Sequence, residues 1–156
     1  MQIVDLIEPN RVACSEDVNS KKRALEQLSH LIVDGDESLS QLDVFESLIA
    51  RERLGSTGLG KGTAIPHGRL KSGDKTVAAF IKLSQGVDYD APDGQPVDLF
   101  CALLVPPEST EEHLEILAAL SEMFSSQNVR DNLRSATQSQ ELYELLVNWF
   151  RKKDNL

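Results

Sequence analysis

Two nearly continuous apolar runs, at residues 76–83 and 97–105, constrain the fold of this chain more than any other feature. Neither run alternates between apolar and polar residues, as a strand with one face in water would. Such runs are typical of central strands that are covered on both faces. Because helical patterns precede and follow them, we predict an α/β fold in which a mixed β-sheet is flanked by helices on both faces, a three-layer α/β/α sandwich.

Helices are predicted where apolar residues recur at helical spacing, over residues 20–34, 41–53, 109–124, 127–135 and 138–151. On the second of these helices, the face expected to be buried consists of Leu42, Phe45, Leu48 and Ile49.

Local signals mark the ends of several elements. Asn19 or Ser20 can cap the first helix, and the segment 109–112 matches the capping-box pattern. The Asp-Gly pair at 93–94 indicates a turn between the two apolar runs, with a short strand near 87–89.

The chain has no internal repeats and no long linker, so we expect residues 1–156 to form a single domain.

Composition and charge disfavour several classes of function. The chain has 16 Lys and Arg against 25 Asp and Glu, and the formal net charge of −9 disfavours nucleic acid as a partner. It has neither a signal-peptide pattern nor an apolar run long enough to span a membrane, so we expect a cytoplasmic protein with no membrane insertion. Cys14 and Cys101 lie in apolar surroundings and are expected to be buried, reduced thiols.

The segment 55–69 carries most of the chemical information in the sequence. It places His67 between Pro66 and Gly68, downstream of a glycine-rich stretch. Proline restricts the approach of the chain, and glycine lets another molecule come close to the backbone. His67 is therefore the first candidate for a reactive group.

The glycine-rich stretch matches nucleotide-binding motifs only in part. Residues 55–61 fit the first positions of a P-loop, but Gly62 stands where that motif needs a hydroxyl for Mg²⁺. A P-loop also follows a strand and opens a helix, whereas these glycines follow a predicted helix, and Pro66 disfavours a new one. A dinucleotide-binding fingerprint fails because Thr63 stands in place of the third glycine. We interpret the P-loop match as a coincidence.

The same stretch offers donors for an anion, and Ser56, Thr57, Gly58 and Gly60 are the candidate phosphate-binding residues. Successive backbone N–H groups in such a loop can form a nest for an anion, and the two hydroxyls add further donors. Arg51, at the end of the preceding predicted helix, is close in sequence. The alternative is a surface turn that carries a histidine, and the residues alone leave both interpretations open.

His113 is the second candidate histidine. It falls near the start of the predicted helix 109–124, on the same stripe as Ile116 and Leu120, so its side chain is expected to face the domain. The positive end of the helix dipole favours a neutral imidazole at that position. The alternative is a boundary histidine with a structural role. We assign no role to His30.

The run from 42 to 69, which contains Arg51 and ends in Thr-Ala-Ile-Pro-His-Gly-Arg, resembles the signature of IIA components of the bacterial phosphotransferase system, of the fructose/mannitol type. The similarity continues through residues 87–100 and 112–121, so it covers nearly the whole chain. Within this family the chain is most similar to the nitrogen-regulatory branch, IIA-Ntr.

The resemblance implies a single IIA type 2 domain in which His67 accepts a phosphoryl group from an HPr-like phosphocarrier protein of the nitrogen branch. It implies a tele-phosphohistidine intermediate, although the residues alone leave the ring nitrogen open, and it implies that Arg51 and His113 line the same site. No cofactor or metal is implied, because donor and acceptor are both phosphohistidines. The chain would act as a phosphohistidine phosphotransferase within a relay rather than as a stand-alone enzyme. Potassium-transport regulators and sensor kinases are the implied targets.

Three classes of function remain at this point. The first is a regulatory phosphocarrier of the nitrogen-related phosphotransferase system, and the second is a sugar-specific IIA component that passes phosphate to a IIB domain during carbohydrate uptake. A metal- or nucleotide-dependent enzyme is disfavoured by the incomplete P-loop and by the lack of a carboxylate-rich cluster beside the histidines. For the surface that meets the carrier, we predict an apolar rim formed by Leu59, Ile65 and Pro66.

Overall fold

A mixed β-sheet lies at the centre of the fold. The computed structural model describes residues 2–109 and 111–155, the side chain of Ser15 excepted. The strands are β1 (Val12–Glu16), β2 (Gly58–Gly60), β3 (Thr63–Ala64), β4 (His67–Arg69), β5 (Val77–Val87) and β6 (Val97–Val105). The helices are α1 (Lys21–Val33), α2 (Gln41–Glu52), α3 (Glu111–Ser125), α4 (Gln127–Ser135) and α5 (Ser139–Asp154), preceded by short 3₁₀ helices at Ile3–Leu6 and Pro9–Arg11.

The strands follow the order β1-β5-β6-β3-β2, and β4 also pairs with β6. Strands β5 and β6 are antiparallel, whereas β1 is parallel to β5, and β3 and β4 are both parallel to β6. The predicted turn at 93–94 is confirmed, with Gly94 at a φ of 69°. The separate strand predicted near 87–89 is wrong, because β5 itself continues to Val87, which pairs with Val97.

Successive residues of the two central strands point into two different cores. On β5, Ala79 and Ile81 pack in the cluster that contains α1 and α2. Ala78 and Phe80 point the other way, into the cluster that contains α3, α4 and α5. This alternation explains why the sequence of β5 is apolar on both sides, and it confirms the three-layer α/β/α sandwich.

The predicted helices are confirmed to within a few residues at each end. Ser20 caps α1, since its hydroxyl accepts the backbone N–H of Arg23 at 3.1 Å. The capping box predicted at 109–112 includes Thr110, which lies outside the described residues; α3 begins at Glu111.

The predicted burial of Leu42 is wrong, because this side chain is 63% exposed. The buried stripe of α2 consists instead of Val44 and Leu48, four residues apart, with Phe45 and Ile49 partly buried beside them. Two residues along a helix correspond to a rotation of about 200°, which places Leu42 on the side opposite Val44.

The two cysteines differ from each other. Cys101 is fully buried in β6, and burial raises the pKa of its thiol to about 12. Cys14 is only half-buried. The predicted burial is therefore confirmed for Cys101 and wrong for Cys14. Neither cysteine is part of a disulfide bond.

Short strands in the glycine-rich segment are a feature that the sequence pattern does not predict. Strands β3 and β4 lie end to end along one edge of β6, separated by Ile65 and Pro66. Proline has no N–H to donate, but its carbonyl accepts the N–H of Leu103 at 2.9 Å. The contact with β6 therefore continues across the break, and His67 begins a strand.

Within the described residues, no helix has both the length and the apolar composition needed to cross a membrane.

The contact between α2 and β4 depends on the absence of a side chain at Gly68. A Cβ at this position would collide with the hydroxyl of Ser47 and would lie 3.2 Å from its carbonyl carbon. We expect Gly68→Ala to lower the free energy of unfolding by about 1–3 kcal/mol, the usual cost of overpacking. In a Ser47→Ala background, where the colliding oxygen is absent, the loss is expected to be smaller. Urea unfolding of the four proteins measures this coupling, and strictly additive losses would contradict it.

Candidate functional site

His67 is held at the edge of the sheet by its own strand. It begins β4 opposite Leu103, whose side chain lies in the core on the α3 face of the sheet. Its ring is half-buried, and Nδ1 lies 2.9 Å from the carbonyl oxygen of Ile65. A carbonyl oxygen can only accept a hydrogen bond, so in the neutral ring the contact assigns the proton to Nδ1. The lone pair is then on Nε2.

His113 lies beside His67. It is the third residue of α3, its ring is half-buried, and the two ring centroids are 5.8 Å apart with the planes at 72°. The fold therefore brings together two histidines that are far apart in sequence.

Both imidazoles are in surroundings that favour the neutral form. Burial lowers the pKa of His67, the hydrogen bond to the Ile65 carbonyl opposes this, the charge of Arg51 lowers the pKa further and that of Glu52 raises it. Burial also lowers the pKa of His113, with smaller contributions in the same direction from His67 and from Arg69. These shifts favour the uncharged rings at neutral pH, and an uncharged imidazole is the nucleophilic form.

Arg51 lies in the last turn of α2 and acts on His67 through its charge. Its Nη1 donates a hydrogen bond to the carbonyl oxygen of Gly55 at 2.9 Å. A guanidinium has five N–H donors, so this contact can orient the group while other donors are available to an anion.

The candidate phosphate-binding residues lie between α2 and β3. Ser56 and Thr57 belong to the segment 55–58, in which the chain turns back to contact α2 (the reversal 55–58), and Gly58 and Gly60 belong to β2. Thr57 donates its backbone N–H and its hydroxyl to the carboxylate of Glu52, at 3.0 and 2.6 Å. The N–H of Gly58 donates to the hydroxyl of Ser56, which itself donates to the carbonyl of Tyr89. These donors are thus engaged by acceptors within the chain. Phosphate binding by the four loop residues stays a prediction, for which we name Ser56, Thr57, Gly58 and Gly60.

Glu52 is a residue of this region that the sequence argument missed. It is only 7% exposed, although it carries a carboxyl group. The signal was present, since Glu52 follows Leu48 by four residues and so continues the apolar stripe of α2.

Arg69 is a second missed residue. Its Nη1 donates to the carbonyl oxygens of Pro106, Pro107 and Ser109, at 3.2, 3.3 and 2.7 Å. These residues immediately precede α3, so the contact ties β4 to the helix that carries His113. Residues two apart on a strand share a face, which would have placed Arg69 beside His67 had β4 been predicted.

The predicted apolar rim around His67 is partly wrong. Ile65 is only 7% exposed and Pro66 is also buried, because both lie against β6 between two strands. Leu59 is 41% exposed, and its place in a rim around His67 stays a prediction. Two other leucines on neighbouring segments are more exposed: Leu54, after the end of α2, at 84%, and Leu114, next to His113, at 64%.

The lowered pKa values of the two histidines predict a dependence of stability on pH. As the pH falls through the usual histidine value of 6.5, the unfolded chain binds more protons than the folded one, so the free energy of unfolding decreases. The free energy of unfolding stops decreasing from this cause once the pH is below the pKa values that the two histidines have in the folded protein. We expect His67→Gln and His113→Gln each to lose part of this slope in urea unfolding at a series of pH values. An unchanged slope in both variants would contradict the assigned pKa shifts.

The family model and the similar proteins of known sequence agree on one family. The family model described as "Phosphoenolpyruvate-dependent sugar phosphotransferase system, EIIA 2" matches residues 5–149. The nitrogen regulatory protein of Pseudomonas aeruginosa is 43% identical over 147 residues, which cover 94% of this chain and 96% of that protein. The fructose-specific EIIA component of the PTS system of Haloferax volcanii is 33% identical over 136 residues, or 87% of this chain and 88% of that one.

A solved structure supports the same family. The crystal structure of nitrogen regulatory protein IIA-Ntr from Neisseria meningitidis matches with a TM-score of 0.83 and 43% identity, covering 92% of this chain and 98% of that one. The sheet order and the two helical layers described above therefore occur in a relative of similar length. The chain belongs to the EIIA 2 family of the phosphoenolpyruvate-dependent sugar phosphotransferase system.

Proposed function

We propose that this chain is a regulatory phosphocarrier of the nitrogen-related phosphotransferase system, phosphorylated on Nε2 of His67, the tele nitrogen, by an HPr-like carrier. The observation that carries the proposal is the state of the His67 ring. Its Nδ1 lies 2.9 Å from the Ile65 carbonyl oxygen, which leaves Nε2 for the phosphoryl group, and it lies 5.8 Å from a second imidazole, that of His113. Burial lowers the pKa of both rings and so favours their neutral form.

The proposed step exchanges one phosphorus–nitrogen bond for another. The Nε2 lone pair of His67 forms a bond to the phosphorus of the carrier's phosphohistidine, and the bond to the carrier's ring nitrogen breaks with its electron pair. The proton on Nδ1 stays on His67, and the Nδ1–H group donates a hydrogen bond to the Ile65 carbonyl oxygen. Transfer through a loose transition state needs chiefly alignment and charge stabilisation.

Arg51 and His113 have complementary roles in this proposal. The guanidinium of Arg51 supplies positive charge and forked donors for the phosphoryl oxygens. The ring of His113 can supply a hydrogen bond to a phosphoryl oxygen, and its lowered pKa favours the neutral form. Ser56, Thr57, Gly58 and Gly60 are the proposed phosphate-binding residues of the loop, next to Gly55, whose carbonyl is bound to Arg51.

Regulation follows from the charge of the phosphoryl group. Phosphorylation of His67 adds about two negative charges next to a surface with exposed leucines, which can create or abolish docking to a target. Potassium-transport regulators and sensor kinases are the proposed targets. The nitrogen branch is favoured because the relatives named as nitrogen regulatory proteins reach 43% identity.

The alternative is a sugar-specific IIA component that passes phosphate to a IIB domain. The observation in its favour is the 33% identity to a fructose-specific EIIA component over most of both chains. Carrier selectivity distinguishes the two: preference for the nitrogen-branch carrier supports the regulatory role, whereas rapid onward transfer to a fructose or mannitol IIB domain supports the alternative.

Phosphorylation of His67 is tested by labelling from phosphoenolpyruvate through enzyme I and the carrier. We expect an acid-labile, base-stable label on the wild-type protein and none on His67→Ala, because the acceptor nitrogen is absent. His30→Ala is the matched control, since His30 is an exposed histidine on α1, and it should label like the wild type. A label that persists on His67→Ala would refute the assigned acceptor.

The docking surface is tested by placing a charge on the exposed leucines. Leu54→Asp, Leu59→Asp and Leu114→Asp are each expected to raise the KM for the phosphorylated carrier by about tenfold, since a charge replaces apolar contact at an interface. Leu42→Asp is the control, because Leu42 is about as exposed as Leu114, at 63% against 64%, but lies at the opposite end of α2 from Arg51. Stability should change by no more than about 0.5 kcal/mol, as is usual at exposed sites. Equal KM values in all four variants would rule out this surface.

A further inference from the structure

We propose that Glu52 is a positioning residue for phosphoryl transfer: its buried carboxylate holds the reversal 55–58, and through Gly55 it orients the guanidinium of Arg51 beside His67. This inference rests on the function proposed above. It assigns a role to a group that does not itself touch the reacting atoms.

The carboxylate of Glu52 is buried and fully engaged. It accepts the N–H of Thr57 at 3.0 Å, the hydroxyl of Thr57 at 2.6 Å and the hydroxyl of Tyr89 at 3.1 Å, and it forms an ion pair with Lys21 at 3.1 Å. Burial alone would raise the pKa of Glu52, but the hydrogen bonds from Thr57 and the contacts with Lys21 outweigh it and hold the pKa below its usual value. A buried carboxylate needs this number of partners to remain charged.

Two of these bonds come from one residue, and that residue sets the path of the chain. Thr57 lies five residues after Glu52, beyond the end of α2, so the paired bonds close the reversal back onto the helix. Tyr89 secures the same segment from the other side, because its hydroxyl contacts Thr57 at 3.1 Å and its carbonyl accepts the hydroxyl of Ser56 at 3.0 Å. Tyr89 is fully buried, which makes it a rigid support.

Gly55 connects Arg51 to the segment that Glu52 and Tyr89 hold in place. Successive helical residues point about 100° apart, so Glu52 can face the interior while Arg51 stays half-exposed. The guanidinium of Arg51 is bound to the carbonyl of Gly55, which lies within the reversal held by Glu52. If the reversal moved, the acceptor that orients the guanidinium would move with it.

Glu52 also belongs to the charged surroundings of His67. Arg51 and Glu52, both on α2, act on this ring through their charges, and the ring of His113 on α3 lies 5.8 Å from it. The charges of Arg51 and Glu52 act on the pKa of His67 in opposite directions. Loss of the Glu52 charge alone would lower the pKa of His67, whereas loss of the Arg51 charge would raise it. The pKa of His67 is therefore a readout of the proposal that does not depend on catalysis.

A double-mutant cycle with Arg51 tests the proposal. Glu52→Gln keeps the shape of the side chain but loses its charge, and we expect it to lower kcat for transfer from the phosphorylated carrier by at least about tenfold, since misplaced catalytic groups cost up to about a hundredfold. The KM for the carrier should stay within about twofold. In an Arg51→Gln background the same change should have little further effect, because Glu52 acts through Arg51. Glu46→Gln removes an exposed carboxylate from the same helix and should leave kcat unchanged.

The opposite results would overturn the proposal: an unchanged kcat in Glu52→Gln, or an equal loss in the presence and absence of Arg51. If Glu52→Gln does not fold, Thr57→Val takes its place in the same cycle, since it removes one of the donors and keeps the side-chain volume.

NMR titration of the His67 ring separates this proposal from the proposed function, because it uses no carrier. If Glu52 positions Arg51, the pKa of His67 should rise in Glu52→Gln, because a displaced Arg51 no longer lowers it and the effect of Arg51 is larger than the opposing effect of Glu52; in Glu46→Gln it should stay unchanged. If the wild type takes no label but this rise is seen, the proposed function fails while the arrangement around Arg51 stands. If label is taken but the pKa of His67 falls or does not change, the positioning role fails.

Discussion

Strand β6 is the element on which the rest of the structure depends. Both of its faces are buried and both of its edges are paired, with β5 on one side and with β3 and β4 on the other. The edge that carries β3 and β4 also carries the candidate site, so the position of His67 is set by its pairing opposite Leu103. A group on a strand within a packed sheet is held more rigidly than one on a free loop, which is what alignment for phosphoryl transfer requires.

The candidate site combines opposite electrostatic demands in a small space. His67 must be neutral to act as a nucleophile, whereas a transferred phosphoryl group needs positive charge close by. Burial and the charge of Arg51 both lower the pKa of His67, so the cation that would stabilise the phosphoryl group also keeps the ring neutral. The buried carboxylate of Glu52 limits this effect.

Several parts of this site could be predicted from sequence because their signals are local. His67, between a proline and a glycine, and His113, on the inner stripe of a helix, were identified in this way. Leu42, Ile65 and Pro66 were predicted wrongly, because an apolar residue in the first turn of a helix, or just before His67 in the sequence, can face either the core or the solvent. Glu52 and Arg69 were missed, since their partners lie on the reversal 55–58 and on the segment 106–109.

The sequence alone determined the alternation of apolar strands and amphipathic helices, and hence a layered α/β fold, because hydrophobic periodicity is a property of neighbouring residues. It also determined the chemistry available, one accessible imidazole with a second imidazole and a guanidinium elsewhere in the chain. Only the tertiary structure decided that the two histidine rings lie 5.8 Å apart, which nitrogen of His67 is bound to a carbonyl, and which loop donors are engaged within the chain. The two rings belong to segments far apart in sequence, and they meet only once β4 and α3 have packed around β6. The contacts of His67 and of Thr57 join residues only two and five positions apart, but they depend on the path that the packed chain takes between α2 and β4.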